Sequence, residues 1–73
     1  MNQSTADLVF TYVCTYIEEY GFSPTYREIA EGCFISKSAV EKQLFQLEAQ
    51  HRIKRIPGAS RSIRPLQSDD DES

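Results

Sequence analysis

The sequence predicts a mainly α domain with one small β-hairpin, an α+β class. Three observations carry that expectation. Three segments show apolar residues at helical spacing, each opened by a hydroxyl residue. Two short runs flank a Pro57-Gly58 turn and alternate basic with apolar side chains. A chain of 73 residues has room for a single small core.

The first helix is expected from about Ser4 to Tyr20. Ser4 can cap it, and Asp7 three residues on is a short-armed version of a capping box. Val9, Phe10, Val13, Tyr16, Ile17 and Tyr20 form one broad apolar stripe. Gly21 ends the helix, because glycine takes positive φ without steric cost. Phe22-Ser23-Pro24 is then a short connection that the proline keeps extended.

The second helix is expected from Tyr26 to Cys33. Thr25 and Glu28 make a full capping box, with Ile29, Ala30 and Cys33 facing inward. Gly32 costs this helix about 1 kcal/mol relative to alanine, so it needs tertiary support. After a tight turn, Ser36 caps a third helix running from Lys37 to about Gln50 without glycine or proline. At about 100° per residue, Leu44 and Leu47 fall within about 40° of Val40, which marks the buried face. Ser38, Lys42, Phe45 and Ala49 fall on the opposite side, flanked by Glu41 and Gln46.

The last segments are strand-like. Arg52 to Ile56 and Arg61 to Leu66 would pair around Pro57-Gly58-Ala59-Ser60. Pro65 cannot donate to a ladder, so it belongs to an edge or near a strand end. Ile53, Ile56, Ile63 and Leu66 are expected to pack on the helices, with Lys54, Arg55, Arg61 and Arg64 in water. Residues 1–67 thus form the domain, and residues 68–73 an acidic tail with no reason to fold.

Charge is distributed unevenly around a net value of −3. Residues 1–34 are acidic, residues 35–68 are basic through Lys37, Lys42, Arg52, Lys54, Arg55, Arg61 and Arg64, and Asp69 to Glu72 are acidic again. A basic segment of this kind points to a nucleic-acid face more directly than the overall isoelectric point does. An unevenly charged, solvated surface is the plain alternative. Without a long apolar run or a basic N-terminal leader, neither a membrane span nor a signal peptide is expected, and the protein is assigned to the cytoplasm. Cys14 and Cys33 are expected as reduced thiols. They and the single His51 show no metal-ligand spacing, so neither a metal nor a cofactor is expected.

Two short helices joined by a tight turn and followed by a basic hairpin make a winged helix-turn-helix. Gly21-Phe22-Ser23-Pro24-Thr25-Tyr26-Arg27-Glu28-Ile29-Ala30 resembles the segment that opens the helix-turn-helix of the LexA repressor family. Gly58-Ala59-Ser60-Arg61-Ser62-Ile63-Arg64 resembles that family's wing, and the resemblance covers about residues 4–67. It implies a repressor domain that binds double-stranded DNA with its third helix in the major groove.

Carried over by position, the base-reading residues are Ser36, Ser38, Ala39, Glu41 and Lys42. Ser36 and Ser38 sit where hydroxyls and free amides meet phosphate, although Ser36 also reads as a plain N-cap. Ala39 could touch a thymine methyl, Glu41 could accept from a cytosine amino group, and Lys42 could donate to guanine. Lys37 and Phe45 complete the helix set. Phe45 could press on a sugar or a thymine methyl, or meet a partner protein. Arg27, Lys54, Arg61 and Arg64 are the candidate backbone contacts outside that helix.

The chain departs from the family pattern in places. Ser38 and Lys42 stand where the pattern carries asparagine and glutamate, which reverses the donor–acceptor preference at Lys42 and implies a different operator. Phe34 stands where such turns usually carry glycine. It is strained if the turn needs positive φ there, but the turn is one residue shorter, which is expected to reshape it instead. The family's self-cleaving peptidase domain has no counterpart here, so no enzyme is expected. The chain reads as an excised domain or a stand-alone regulator, binding tightly as a homodimer on paired half-sites or with a partner regulatory protein. The competing class is a winged-helix protein-interaction module whose wing and Phe45 face grip a regulatory protein rather than DNA.

Overall fold

The computed structural model describes residues 4–56 and 63–66. Three helices, α1 (Thr5–Tyr20), α2 (Tyr26–Cys33) and α3 (Lys37–Ala49), precede two strands, β1 (Ile53–Arg55) and β2 (Ile63–Pro65). The strands pair antiparallel, with Ile53 opposite Pro65, Lys54 opposite Arg64 and Arg55 opposite Ile63. This is the α+β winged helix-turn-helix arrangement read from the sequence. The Pro57–Ser60 turn, Arg61, the expected domain boundary near residue 67 and the acidic tail lie outside the described residues.

The caps fix the helix starts. The Ser4, Thr25 and Ser36 side chains each accept the backbone N–H three residues on, at 3.0, 3.1 and 3.1 Å. The Glu28 carboxylate accepts the Thr25 N–H at 2.8 Å, which completes the α2 capping box. The Asp7 carboxylate takes a long-range partner, Arg52, whose Nη1 donates to it at 2.7 Å. The Arg52 guanidinium also sits 4.6 Å from the centre of the Phe10 ring, so one side chain ties the start of α1 to the approach to β1. At the other end of α1, Gly21 is left-handed (φ 85) and donates to the Ile17 carbonyl at 2.8 Å. α3 stops at Ala49, one residue short of the expected end, with Gln50 as its C-cap.

The core collects Ala6, Val9 and Val13 from α1, Ile29 and Cys33 from α2, Val40, Leu44 and Leu47 from α3, and Ile53 and Ile63 from the hairpin. Pro24 is fully buried and Ser23 nearly so, and the Ser23 hydroxyl accepts the Ile63 N–H at 3.4 Å. The α1–α2 connection is therefore also the seat of β2. Cys14 and Cys33 are both free thiols, and burial pushes each above its ordinary pKa.

Four expectations need correction. The α1 stripe is narrower than predicted. Tyr16 is half-buried, Tyr20 is exposed, and the two rings stack 4.5 Å apart rather than entering the core. Ile56 and Leu66 are exposed as well, bordering a groove with Ile17 and Phe22. Residues three apart in a strand point to opposite faces, so Ile56 cannot share the inward side of Ile53, nor Leu66 that of Ile63. By the same period Arg55 points inward with Ile53, and it is half-buried instead of standing in water. Finally, the α2–α3 turn keeps its left-handed residue. Phe34 has φ 59 and ψ 44, donates its N–H to the Ala30 carbonyl and is 91% exposed. The shorter turn does not remove the need for positive φ, so Phe34 carries the strain that glycine would avoid.

Candidate nucleic-acid interface

The outward face of α3 is built by the same periodicity that buries Val40, Leu44 and Leu47. Ser36, Lys37, Ser38, Glu41 and Lys42 are exposed, Ala39 is half-buried, and Phe45 is 67% exposed. Ser36 acts as the N-cap, its Oγ accepting the Ala39 N–H. Ser38, Glu41, Lys42 and Phe45 share one shallow hollow with Tyr26 and Arg55. An exposed phenylalanine beside an exposed lysine offers an apolar and a cationic contact on one helix face.

The hairpin adds charge. Lys54 and Arg64 are both exposed and lie directly opposite each other in the register. Like charges at cross-strand partners repel, so this arrangement costs stability in the free domain. Arg27 is also exposed, but its Nε lies 3.8 Å from Glu31 in a solvated pair one helical turn long, which contributes little to stability. Arg61 lies outside the described residues.

Two cations of the basic half serve the fold. Arg52 is held by Asp7, and its hydrogen bond holds the Asp7 carboxyl below its ordinary value. Arg55 binds Glu48 through Nε at 3.1 Å and Nη2 at 2.9 Å, and donates from Nη1 to the Tyr26 hydroxyl at 2.8 Å. Burial pulls the Arg55 pKa down, but Glu48 and Tyr26 outweigh it and hold the guanidinium more firmly protonated. The exposed cations of the described basic half are Lys37, Lys42, Lys54 and Arg64. Tyr26, Glu48 and Arg55 are the residues that sequence reasoning missed at this site. The strand period was the available signal for Arg55. Tyr26 gives no signal in one sequence, because its role depends on where β1 passes.

Residues 4–62 match the family model described as the LexA DNA binding domain. The chain belongs to the LexA DNA-binding domain family. Among relatives of this LexA-type domain, a LexA repressor from Koribacter versatilis is 36% identical over 80% of this chain and 28% of its own length. One from Pseudomonas aeruginosa is 37% identical over 88% of this chain and 34% of its own. One from Vibrio campbellii is 45% identical over 84% of this chain and 30% of its own. The chain thus spans about a third or less of the curated relatives it matches. A LexA-type DNA-binding domain is a regulator module without catalytic function. Among the described residues, no cluster of His, Cys, Asp and Glu could hold a metal ion, and no helix is long and apolar enough to cross a membrane.

Proposed function

We propose that this LexA-type domain is the sequence-specific, duplex-DNA-binding part of a transcriptional repressor. α3 enters the major groove and presents Ser38, Ala39, Glu41, Lys42 and Phe45 to base edges and sugars. Ser36 and Lys37 meet the phosphates at its start, with Arg27 beside them. The hairpin lies on the backbone or in the adjacent minor groove through Lys54, Arg61 and Arg64. The observation that carries this reading is the juxtaposition of Lys54 and Arg64 at facing positions on the wing, next to a helix that exposes Ser38, Glu41, Lys42 and Phe45 to solvent. Repulsion retained in the free domain and relieved by a polyanion is the expected signature of a phosphate-binding wing. The repressor role rests on the relatives, which are named repressors.

One such domain makes few phosphate contacts, so tight binding requires two copies on half-sites spaced by about one helical turn, or a partner regulatory protein. Binding takes place in the cytoplasm, on nucleoid DNA. Lys42 in this set favours guanine at the position it reads, which makes the operator differ from the one the family pattern would select. Selection of bound duplexes from a random pool, followed by stoichiometry on the enriched sequence, tests all of this together. A defined motif with paired half-sites is expected. Failure to enrich any sequence, with no retention of random duplex at low salt, favours the protein-interaction alternative instead.

A further inference from the structure

The Tyr26–Arg55 contact has a chemical consequence beyond holding the fold together. The Tyr26 oxygen accepts from Arg55 Nη1 at 2.8 Å, so the phenolic proton is left to be donated elsewhere. Among the described residues none accepts that proton, although the Glu41 carboxylate lines the same hollow. Tyr26 lines the hollow on the outward face of α3 with Ser38, Glu41, Lys42 and Phe45, where the cations Lys42 and Arg55 outnumber the single Glu41 carboxylate. Arg55 cannot swing away freely, because Glu48 holds its Nε and Nη2. A hydroxyl that accepts from a cation becomes a stronger donor, since each hydrogen bond polarises the next.

We propose that the Tyr26 hydroxyl donates a hydrogen bond to a DNA backbone phosphate, and that Arg55 is the positioning residue that aims and polarises it. This rests on the DNA-binding reading given above. A phosphate oxygen is an acceptor-only, anionic group, which suits a donor standing beside Lys42. Tyrosine is among the side chains that make such backbone contacts in protein–DNA interfaces. The phenol is neutral, so its contact adds affinity without displacing a counterion. A lysine or arginine contact cannot share that property.

The test compares wild type, Tyr26→Phe, Arg55→Met and the double variant on a selected duplex and a random duplex over a salt series. Tyr26→Phe and Arg55→Met are each expected to weaken binding to both duplexes by about tenfold. The double variant is expected to lose no more than the worse single variant, because the two residues act as one unit. The slope of log affinity against log salt should stay unchanged in all three.

Three results would overturn the proposal: wild-type affinity in Tyr26→Phe, additive losses in the double variant, or a slope shallower by about one in Arg55→Met, which would put Arg55 itself on the phosphate. Tyr26→Phe keeps the ring, so it decides the matter even if Arg55→Met fails to fold. A wild-type protein that binds neither duplex sinks the DNA reading and this inference with it. Wild-type binding with an unaffected Tyr26→Phe sinks this inference alone.

Discussion

The Tyr12 ring on α1 lies against Gly32 on α2 so closely that a Cβ at Gly32 would overlap it. The glycine that lowers the helix propensity of α2 is therefore a place of close approach by α1. Tyr12 in turn stands 6.0 Å from Tyr16, in the ring stack that continues to Tyr20. The stability effect of Gly32→Ala accordingly depends on Tyr12. In a Tyr12→Ala background it should add about 1 kcal/mol from helix propensity alone. In the wild type, displacement of the ring should remove that gain. Urea unfolding of the four-member cycle reads the coupling, and equal effects in both backgrounds would show that the ring moves aside at no cost.

Phe34 is left-handed and almost wholly exposed, so its ring returns little burial for the strain of its backbone. Phe34→Gly should raise the free energy of unfolding by about 1 kcal/mol, after the larger unfolded-state entropy of glycine is allowed for. His51, at φ 62 after α3, is a second such position, and His51→Gly should act in the same direction. A loss of stability in Phe34→Gly would mean that the ring packs on something in solution.

The Arg52–Asp7 bond predicts a pH dependence. Hydrogen bonding to Arg52 holds the folded-state Asp7 carboxyl below its ordinary value of 3.8. A depressed folded pKa gives stability that is present above the unfolded pKa and lost as pH falls through the folded one. The wild type should therefore lose stability more steeply than Asp7→Asn as the pH falls below about 4. Thermal melts of the two proteins between pH 6 and pH 2.5 would show converging curves; parallel curves would show the bond contributes nothing in solution.

The wing makes a prediction of its own. Removing one of two facing cations relieves repulsion, so Arg64→Ala should leave the fold as stable as the wild type or slightly more so. The same variant should weaken binding to every duplex and reduce the salt slope by about one. Loss of folding stability together with unchanged DNA affinity would reverse the assignment of Arg64 from partner binding to structure.

The elements were legible because their signals are local. Ser4, Thr25 and Ser36 announce the helix starts, and Gly21 announces the end of α1. The face of α3 followed from the spacing of Val40, Leu44 and Leu47 alone. What the sequence hid depends on distant chain. Arg52 and Arg55 look like free cations until Asp7, Glu48 and Tyr26 are brought to them. Tyr16 and Tyr20 follow helical spacing as well as core residues do, yet they pack on each other and on Phe22 outside the core. At the site, the exposed cations of α3 and the wing could be read in advance, and the supporting contact beneath them could not.

Under the proposed function, sequence reading by α3 depends on Lys42 as a base-contacting residue on its exposed face. The most direct measurement is the affinity of the wild type and of Lys42→Ala for a selected duplex and a random one, at one fixed salt concentration. The wild type should prefer the selected duplex by on the order of 10³ or more. Lys42→Ala should narrow that preference by about tenfold while binding random DNA only modestly less well. Equal affinity of the wild type for both duplexes, or a preference untouched by Lys42→Ala, would mean that α3 does not read bases through Lys42.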